Sequence, residues 1–528
     1  MAGMGDLHEA VDEAVEELRR RDAIRRMWKR DHTLWAPEPT EIENRLGWLD
    51  EPDEIQRSTD TLREFTGQAR ADGLRHVVWC GMGGSSLFPL VLTEAFGPTT
   101  GGCTLEVLDT SHPAPLLRVL EGDVEHTLFC FASKSGGTIE TRSQLDLFWD
   151  RVARPDQFVV VTDEGSALDD LARERSFRAR FHANPDIGGR YSALSHFGMV
   201  PAALLGLATD DVLGGARDML DACRATDPAE NPAAVLAAFI GGHARAGRWH
   251  CTLHTPPELG PFGAWLEQLV AESTGKHGVG ILPVDGEPLG APGVYRGTRT
   301  FVAYDEVGEL RDTLQALRDA GQPVALLDRD GQSPLRRLGA EVVRWEIATA
   351  LAGALLGINP FDQPDVEAAK KAAGAALAGD PPAHEPEDTP DLAGLVTATA
   401  ETGSYVAIQA YLDPEDPRLA TLERARVSLR DAARVTTTLG LGPRYLHSTG
   451  QLHKGGPAGA LFVQVLDNDP PDLAVPGRAF SFAQLLRAQA DGDRAALSAR
   501  RARVLRVDAD DLAAAAERLT GPGDPHQE

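Results

Sequence analysis

The nine residues from Ser133 to Thr141 combine hydroxyl groups, an ammonium group and two glycines in the order Ser-Lys-Ser-Gly-Gly-Thr-Ile-Glu-Thr. The apolar run 127–132 precedes them and is typical of a buried parallel strand, and an amphipathic helical pattern follows. The start of a helix presents unpaired N–H groups and a partial positive charge, and glycine lets an anion approach the backbone. We interpret the segment as a phosphate-binding turn, with a plain helix cap as the alternative.

A second turn of this kind lies upstream, where the apolar strand 76–80 runs into segment 81–87, Gly-Met-Gly-Gly-Ser-Ser-Leu. Ser86 stands where a dinucleotide fingerprint needs its last glycine, and no P-loop sequence occurs in the chain. Two such turns at the carboxyl ends of neighbouring parallel strands describe a compact pocket at the crevice of a sheet. The pair therefore favours a phosphate site over two independent caps.

The composition is that of a large acidic protein, with 528 residues and a formal net charge of −27. The length predicts two or three domains. The charge argues against nucleic acids and anionic membranes as partners, and the absence of an apolar leader or spanning run favours a cytoplasmic protein. The cysteines lack zinc-site spacing, so we expect no metal and interpret them as buried reduced thiols: Cys80, Cys103, Cys130, Cys223 and Cys251.

Strand and helix patterns alternate along most of the chain, which predicts α/β architecture with doubly wound parallel sheets. We expect an N-terminal helical segment at 1–60, a first lobe at 61–229 and a second lobe at 230–377. The Pro- and acid-rich stretch 378–393 is typical of a linker, and 394–528 is expected to form an α+β region. The predicted strands are 77–80, 104–109, 127–132, 158–163, 249–253, 299–304, 323–328, 405–412 and 460–466.

The two turns together resemble those of sugar-isomerase (SIS) domains, which bind phosphosugars, and three further segments resemble the glucose-6-phosphate isomerase family. Residues 188–192 match its Gly-Gly-Arg-Tyr-Ser signature. Residues 268–276 match its glutamine and its Glu-Ser-Asn-Gly-Lys signature, with Thr274 in place of asparagine. Residues 358–370 resemble its C-terminal glutamine-to-lysine segment. Because these segments keep the family's order, the chain is identified as a member of this family.

The C-terminal part resembles the isomerase half of bifunctional transaldolase/glucose-6-phosphate isomerases. This resemblance rests on 445–457, Tyr-Leu-His-Ser-Thr-Gly-Gln-Leu-His-Lys-Gly-Gly-Pro, and on 31–35, Asp-His-Thr-Leu-Trp. No stretch remains to build the barrel of a transaldolase half, so we expect a stand-alone isomerase of that branch. The resemblance implies two SIS-type lobes plus the C-terminal region, and a homodimer.

The function implied by the resemblance is interconversion of glucose 6-phosphate and fructose 6-phosphate through an enediolate, in glycolysis and gluconeogenesis, without a cofactor. One alternative is a dual glucose/mannose-6-phosphate isomerase, which the same proton transfer permits. The other is a non-enzymatic SIS-type phosphosugar sensor. A sensor needs the hydroxyl turn but not Glu272, Arg190 or Lys370, and the sequence contains no basic recognition helix. The enzyme is therefore favoured.

The family match assigns a role to each site residue. Glu272 is the expected base that moves a proton between C2 and C1, and Arg190 is expected to stabilise the oxyanion. Gln268 lies one helical turn before Glu272, on the same face, and is expected to bind a sugar hydroxyl. Lys370 is expected to contact the ring oxygen, although it could belong to a solvated helix face. The expected phosphate contacts are Ser85, Ser133, Lys134, Ser135, Thr138 and Gln363.

Ring opening requires a further acid and base. An imidazole titrates near neutrality and suits this role. We favour His453, because it lies beside two glycines and could reach a ligand, with Lys370 and His277 as rivals. His447 follows a strand-like stretch, so we expect it to pack without a catalytic role.

Overall fold

The computed structural model describes residues 4–304, 308–328, 332–365, 374, 377 and 391–520. Its strands form three sheets, with the orders β2-β1-β3-β4-β5, β7-β6-β8-β9 and β11-β10-β12-β13. The strands are β1 His76–Gly81, β2 Thr104–Leu108, β3 Thr127–Ala132, β4 Phe158–Thr162, β5 Ala179–His182, β6 His250–His254, β7 Leu282–Val284, β8 Arg299–Tyr304, β9 Val324–Leu327, β10 Tyr405–Tyr411, β11 Thr436–Leu441, β12 Leu461–Leu466 and β13 Arg503–Arg506.

Helices connect these strands and cover the sheets. Every strand pair within the three sheets is parallel, so each connection must cross over, and helices supply most of the crossovers. The helices are α1 Met4–Arg20, α2 Ala23–Trp28, α3 Glu51–Ile55, α4 Thr59–Ala71, α5 Leu87–Phe96, α6 Pro113–Glu121, α7 Ile139–Val152, α8 Ala167–Glu174, α9 His196–Leu204, α10 Thr209–Ala222, α11 Pro232–Arg245, α12 Phe262–Thr274, α13 Glu309–Asp319, α14 Pro334–Leu356, α15 Leu392–Glu401, α16 Arg418–Ala433, α17 Gly450–Gly455, α18 Phe482–Ala499 and α19 Ala509–Thr520.

The predicted α/β fold with two doubly wound lobes is confirmed, and each predicted strand has a counterpart in the structure. The expected α+β character of the C-terminal region is wrong in one respect. Its strands β10 to β13 pair in parallel, so this region is a third α/β unit. The boundaries that we drew between domains remain predictions, and residues 378–390 of the predicted linker lie outside the described residues.

Burial explains why the predicted strands were legible in the sequence. All six residues of β3 are buried, because helices cover both faces of a parallel sheet, and its sequence is accordingly an unbroken apolar run. Four strands were not predicted from the sequence. Two of them carry charge, since β5 contains Arg180 and His182 and β13 begins and ends with arginine. Of the other two, β7 has only three residues and β11 begins with three threonines. The five cysteines are buried and reduced, as predicted.

The N-terminal segment packs on the first two lobes through two of its tryptophans. Trp48 stacks on Tyr191 with ring centroids 5.2 Å apart, and Trp35 meets Phe361 edge-on at 5.1 Å. The Gly47 N–H donates to the Asp186 carbonyl at 2.9 Å. These contacts fix residues near 40–50 beside the Gly188–Arg190 turn.

The third unit is tied to the first lobe by ion pairs. Arg444 binds Asp109 at 2.7 Å, and Arg118 binds Asp413 at 2.7 Å. Arg444 begins a 3₁₀ turn that ends at His447 and is followed shortly by α17. These contacts therefore hold the segment 444–455 against the crevice of the first sheet.

Candidate active site

A cleft of about 490 Å³ opens where β1 and β3 end. In the first sheet β2 lies on one side of β1 and β3 on the other, so the cleft occupies the switch point at which parallel α/β sheets bind ligands. Its lining residues are Glu41, Arg45, Met82, Gly83, Gly84, Ser85, Lys134, Ser135, Thr138, Asp163, Gly188, Gly189, Arg190, Gln268, Glu272, Phe361, Gln363 and His447.

The close approach of two turns explains the glycines of segment 81–87. A Cβ on Gly84 would lie 1.9 Å from the Gly189 carbonyl oxygen, which no side chain tolerates. Gly83 adopts φ +55°, and a Cβ there would lie 2.7 Å from the His447 carbonyl oxygen. Glycine at these positions lets the two turns and the His447 segment converge on one site.

The hydroxyl turns line one part of the cleft. Ser85, Ser135 and Thr138 reach the cleft surface. Ser133, which we expected to bind phosphate, is buried below the turn, where its hydroxyl lies 2.9 Å from that of Thr138. Ser133 can therefore orient Thr138 but does not line the cleft.

Lys134 lines the cleft, but its ammonium group is already engaged. Nζ lies 2.9 Å from Asp163 Oδ1 and 3.2 Å from the carbonyl oxygens of Asn184 and Pro185. An ammonium group has three N–H donors, and these partners occupy all three.

Arg190 is buried and held from several directions. Nε donates to Ser273 Oγ at 2.8 Å, and Nη2 donates to the carbonyl oxygens of Pro360 and Asp362 at 2.7 and 2.9 Å. Nη1 donates to Gln363 Oε1 at 3.2 Å. Arg190 thus fixes the 360–363 turn and places a positive charge at the cleft surface beside Gln363 and Glu272.

The carboxylate of Glu272 lies beside this arginine. Glu272 Oε1 is 3.5 Å from Arg190 Nη1, and Glu272 Oε2 accepts a 2.9 Å hydrogen bond from Gln268 Nε2. Gln268 Nε2 also donates to the His447 carbonyl at 2.9 Å. Gln268 Oε1 is buried and accepts no hydrogen bond from the described residues, so it can accept one from a ligand hydroxyl. Both side chains lie on one face of α12, as their spacing predicted.

A second buried cation, Lys276, contacts the same 360–363 turn as Arg190. Lys276, at the end of the Glu-Ser-Thr-Gly-Lys segment, is fully buried and lies 2.7 Å from Asp362 Oδ1. Burial lowers the pKa of its ammonium group to about 7, and the charge of Arg190 acts in the same direction against the opposing effect of Asp362. Lys276 and Arg190 together hold the 360–363 turn in place.

His447 lines the cleft, which the sequence did not lead us to expect. Its Nε2 lies 2.9 Å from Glu140 Oε1, which also accepts from Gln489 Nε2 at 2.6 Å. Burial acts to raise the pKa of Glu140, but the charge and hydrogen bond of His447, together with hydrogen bonds from the Glu140 backbone N–H and Gln489, hold that pKa below its usual value. The structure thus presents an imidazole oriented by a buried carboxylate. Glu140 belongs to segment 133–141, which the sequence analysis interpreted as a phosphate-binding turn. Its position in that turn was the sequence signal that could have pointed to a role for Glu140 and its partner in the cleft.

The favoured ring-opening residue lies elsewhere. His453 is absent from the cleft lining, and its Nδ1 faces the Tyr405 hydroxyl at 2.8 Å. Burial, with the charge of Lys454, lowers the pKa of His453 to about 3. His277 is exposed and also absent from the lining, and Lys370 lies outside the described residues.

Two further lining residues come from the N-terminal segment. Arg45 and Glu41 face the cleft and form a 3.2 Å ion pair. Sequence reasoning had given them no role, because they follow no motif and lie far along the chain from the other site residues.

The described residues provide neither a metal cluster nor a membrane-spanning helix. No group of three or more His, Cys, Asp and Glu side chains among them could hold a metal ion. None of the helices in this part of the chain combines the length and apolar character needed to cross a membrane.

Comparisons with known proteins show which family the chain is similar to. The family model described as phosphoglucose isomerase matches residues 49–281. The glucose-6-phosphate isomerase of Rubrobacter xylanophilus is 30% identical over 363 residues, which cover 58% of this chain and 84% of that protein. That of Synechococcus elongatus is 32% identical over 402 residues, which cover 66% and 74%.

Solved structures extend the comparison to the fold. A protein of Thermus thermophilus described as hypothetical is 28% identical, with a TM-score of 0.60 over 71% of this chain and 97% of that chain. A glucose-6-phosphate isomerase of Chlamydia trachomatis is 22% identical, with a TM-score of 0.57 over 70% and 86%. The second likeness concerns the fold alone.

Proposed function

The chain belongs to the phosphoglucose isomerase family, and we propose that it interconverts glucose 6-phosphate and fructose 6-phosphate. The observation that carries this proposal is the position of Glu272. Its carboxylate lies between Gln268 and Arg190 in a cleft whose other wall carries the hydroxyl turns. A base and a phosphate site in one cleft are what an aldose–ketose isomerase requires.

The phosphate group would bind at the hydroxyl turns. Ser85, Ser135 and Thr138 supply side-chain donors, and α7 begins directly after Thr138, so its first N–H groups add to them. Hydrogen bonds to a charged acceptor are stronger than neutral ones. Gln363, at the cleft surface beside Arg190, is placed for a further contact with the substrate.

The proton transfer follows from the position of Glu272. Its carboxylate removes the proton from C2 of the open-chain aldose; the C2–H electron pair forms a C1–C2 double bond, and the carbonyl oxygen becomes an oxyanion. Returning the proton to C1 re-forms the carbonyl group at C2 once the hydroxyl proton has moved from O2 to O1. The positive charge of Arg190 favours the oxyanion, and the acceptor Gln268 Oε1 can hold a sugar hydroxyl.

Ring opening would use His447. The buried carboxylate of Glu140 holds Nε2 of the imidazole, which leaves Nδ1 available to exchange a proton with the ring oxygen or the anomeric hydroxyl. This replaces our preference for His453, which does not line the cleft. Lys370 keeps its proposed role at the ring oxygen.

Glu272→Gln tests the proposal most directly. Glutamine keeps the shape and the hydrogen bond from Gln268 but cannot accept the proton. We expect kcat to fall by about 10²- to 10⁴-fold, with substrate binding retained. Exchange of carbon-bound hydrogen with labelled water should be lost in parallel. Exchange at the parental rate would overturn the assignment.

Glu267→Gln is the matched control. Glu267 is half-buried on the same helix but does not line the cleft, and desolvation together with the charge of Asp285 raises its pKa to about 8. Glutamine therefore imitates the neutral side chain present at pH 7, and activity should stay near the parental value. Assays with mannose 6-phosphate beside glucose 6-phosphate would distinguish a dual isomerase from a strict one.

We further propose that the protein acts in the cytoplasm as a homodimer, in glycolysis and gluconeogenesis. Its buried reduced cysteines fit a reducing compartment. Light scattering coupled to gel filtration would measure the assembly, and a monomer mass at micromolar concentration would contradict the dimer.

A further inference from the structure

We propose that Arg45, from the N-terminal segment, binds the phosphate group of the substrate. This inference rests on the proposed function, because it assigns a binding residue to the same cleft. Arg45 lies before the residues matched by the family model, 49–281, and no motif predicted it. Its side chain lines the cleft together with Ser135 and Thr138 of the hydroxyl turn.

The argument begins with the cations available to a dianionic phosphate. Among the described residues, the lysine and arginine side chains that line the cleft are Arg45, Lys134 and Arg190. All three donors of Lys134 are occupied by Asp163 and two backbone carbonyls. The donors of Arg190 point to Ser273, Gln363, Glu272 and the carbonyl oxygens of the 360–363 turn.

Arg45 differs from these two because part of its fork is uncommitted. A guanidinium group has five N–H donors. Nη1 of Arg45 donates to the Asn44 carbonyl at 2.9 Å, and Nη2 donates to Glu41 Oε1 at 3.2 Å. The described residues provide no partner for Nε. Arg45 therefore keeps donors for a ligand, and a planar fork suits a phosphate group.

The surrounding contacts hold Arg45 at the phosphate side of the cleft. Ile42 and Leu46, on either side of it, are fully buried, so the backbone of this segment is anchored. The side chain passes Gly188, where a Cβ would lie 3.6 Å from Arg45 Cδ. Gly188 closes the same 184–188 loop whose carbonyl oxygens hold Lys134 of the hydroxyl turn.

Glu41 acts as the competing acceptor. Its side chain is 44% exposed, so the pair with Arg45 can open without uncovering a buried charge. A phosphate dianion would take the place of the carboxylate on the Arg45 fork. Glu41 thus neutralises Arg45 until a phosphosugar displaces it.

The test compares three variants by calorimetry with inorganic phosphate and by steady-state kinetics with fructose 6-phosphate. Arg45→Ala should raise the Kd for phosphate and the KM for fructose 6-phosphate by about tenfold or more, because both ligands lose charge-assisted hydrogen bonds from the guanidinium group. Arg45→Lys should recover part of this loss. Glu41→Gln should tighten phosphate binding by roughly two- to fivefold, because an exposed ion pair no longer competes.

Opposite effects of Arg45→Ala and Glu41→Gln distinguish binding from a structural role, in which breaking either side of the pair would act in the same direction. Gluconate, which lacks phosphate, should bind equally to parent and Arg45→Ala. Arg26→Ala is the control, because Arg26 is a partly buried arginine paired with Asp31 outside the cleft. It should leave phosphate binding unchanged.

Two results would overturn the inference: unchanged phosphate binding in Arg45→Ala, or a higher KM without weaker binding of inorganic phosphate. The second result would assign Arg45 to the sugar instead. An inactive parent enzyme would refute the isomerase proposal alone, since the phosphate calorimetry does not depend on turnover.

Discussion

Replacing His453 by asparagine should leave turnover nearly unchanged but alter how stability depends on pH. The Nδ1 of His453 faces the Tyr405 hydroxyl at 2.8 Å, and an asparagine carbonyl oxygen can accept from that hydroxyl at a similar position. The substitution therefore removes a titrating group while retaining the local hydrogen bond. It also separates the two histidines of the 445–457 segment, because only His447 lines the cleft.

The size of the effect follows from the pKa of His453. Burial lowers this pKa to about 3, from an ordinary value of 6.5. Between these two values the unfolded chain binds a proton that the folded chain excludes. The stability contribution is therefore complete above pH 6.5 and is lost as the pH falls toward 3. For one such group, the free energy of unfolding falls by about 2 kcal/mol between pH 7 and pH 5.

Urea unfolding of the parent and of His453→Asn at both pH values measures this difference. The parent should lose about 2 kcal/mol more than the variant between pH 7 and pH 5, because all other titrating groups are common to both.

The matching variant His447→Asn should lose about 10²- to 10⁴-fold in kcat on cyclic hexose phosphate. It should retain labelled-water exchange on an open-chain substrate.

Equal acid sensitivity of parent and His453→Asn would refute the reasoning about burial. A large loss of kcat in His453→Asn, with His447→Asn unaffected, would refute our assignment of ring opening and restore the prediction made from sequence.

Four further substitutions probe the cleft walls. Ser135→Ala and Thr138→Val should each weaken binding of 6-phosphogluconate by about tenfold or more in calorimetry, since each removes a hydrogen bond to a charged group. Glu140→Gln should lower kcat on cyclic substrate at least about tenfold without matching loss of labelled-water exchange, because the imidazole loses the carboxylate that orients it. Gly84→Ala should destabilise the fold by roughly 1–3 kcal/mol or more in thermal unfolding, because its Cβ would clash with Gly189.

Many of the strands and the shared helix face of the site could be predicted from the sequence, because both depend on residues that are close together along the chain. A strand buried on both faces must be a continuous apolar run, as in β3, and a helix face is set by residue spacing, as in Gln268 and Glu272. The glycine and hydroxyl turns predicted a pocket at the ends of β1 and β3 for the same reason, and both turns line the cleft there. Strands β5 and β13 lack such a run, since charged residues interrupt them.

The choice between His447 and His453 could only be made in three dimensions. The two residues share one short segment, and both sit near glycines or small polar residues. They differ in the partners that other parts of the fold bring to them. The Glu140 carboxylate of the first lobe contacts His447, and the Tyr405 hydroxyl of β10 contacts His453. Residue spacing carries no information about contacts between segments that are 48 or 307 residues apart along the chain.

The same reason explains why the sequence did not point to Arg45, and why Ser133 and Lys134 proved less available to a ligand than we expected. Residue type alone made Lys134 the expected phosphate cation, but folding brings Asp163 and the 184–185 carbonyls to its ammonium group. The packing of the N-terminal segment places Arg45 in the cleft instead. Sequence determined which chemistry this protein could perform, while the tertiary structure decided which donors remain available to a substrate, because that depends on every neighbour that each donor meets.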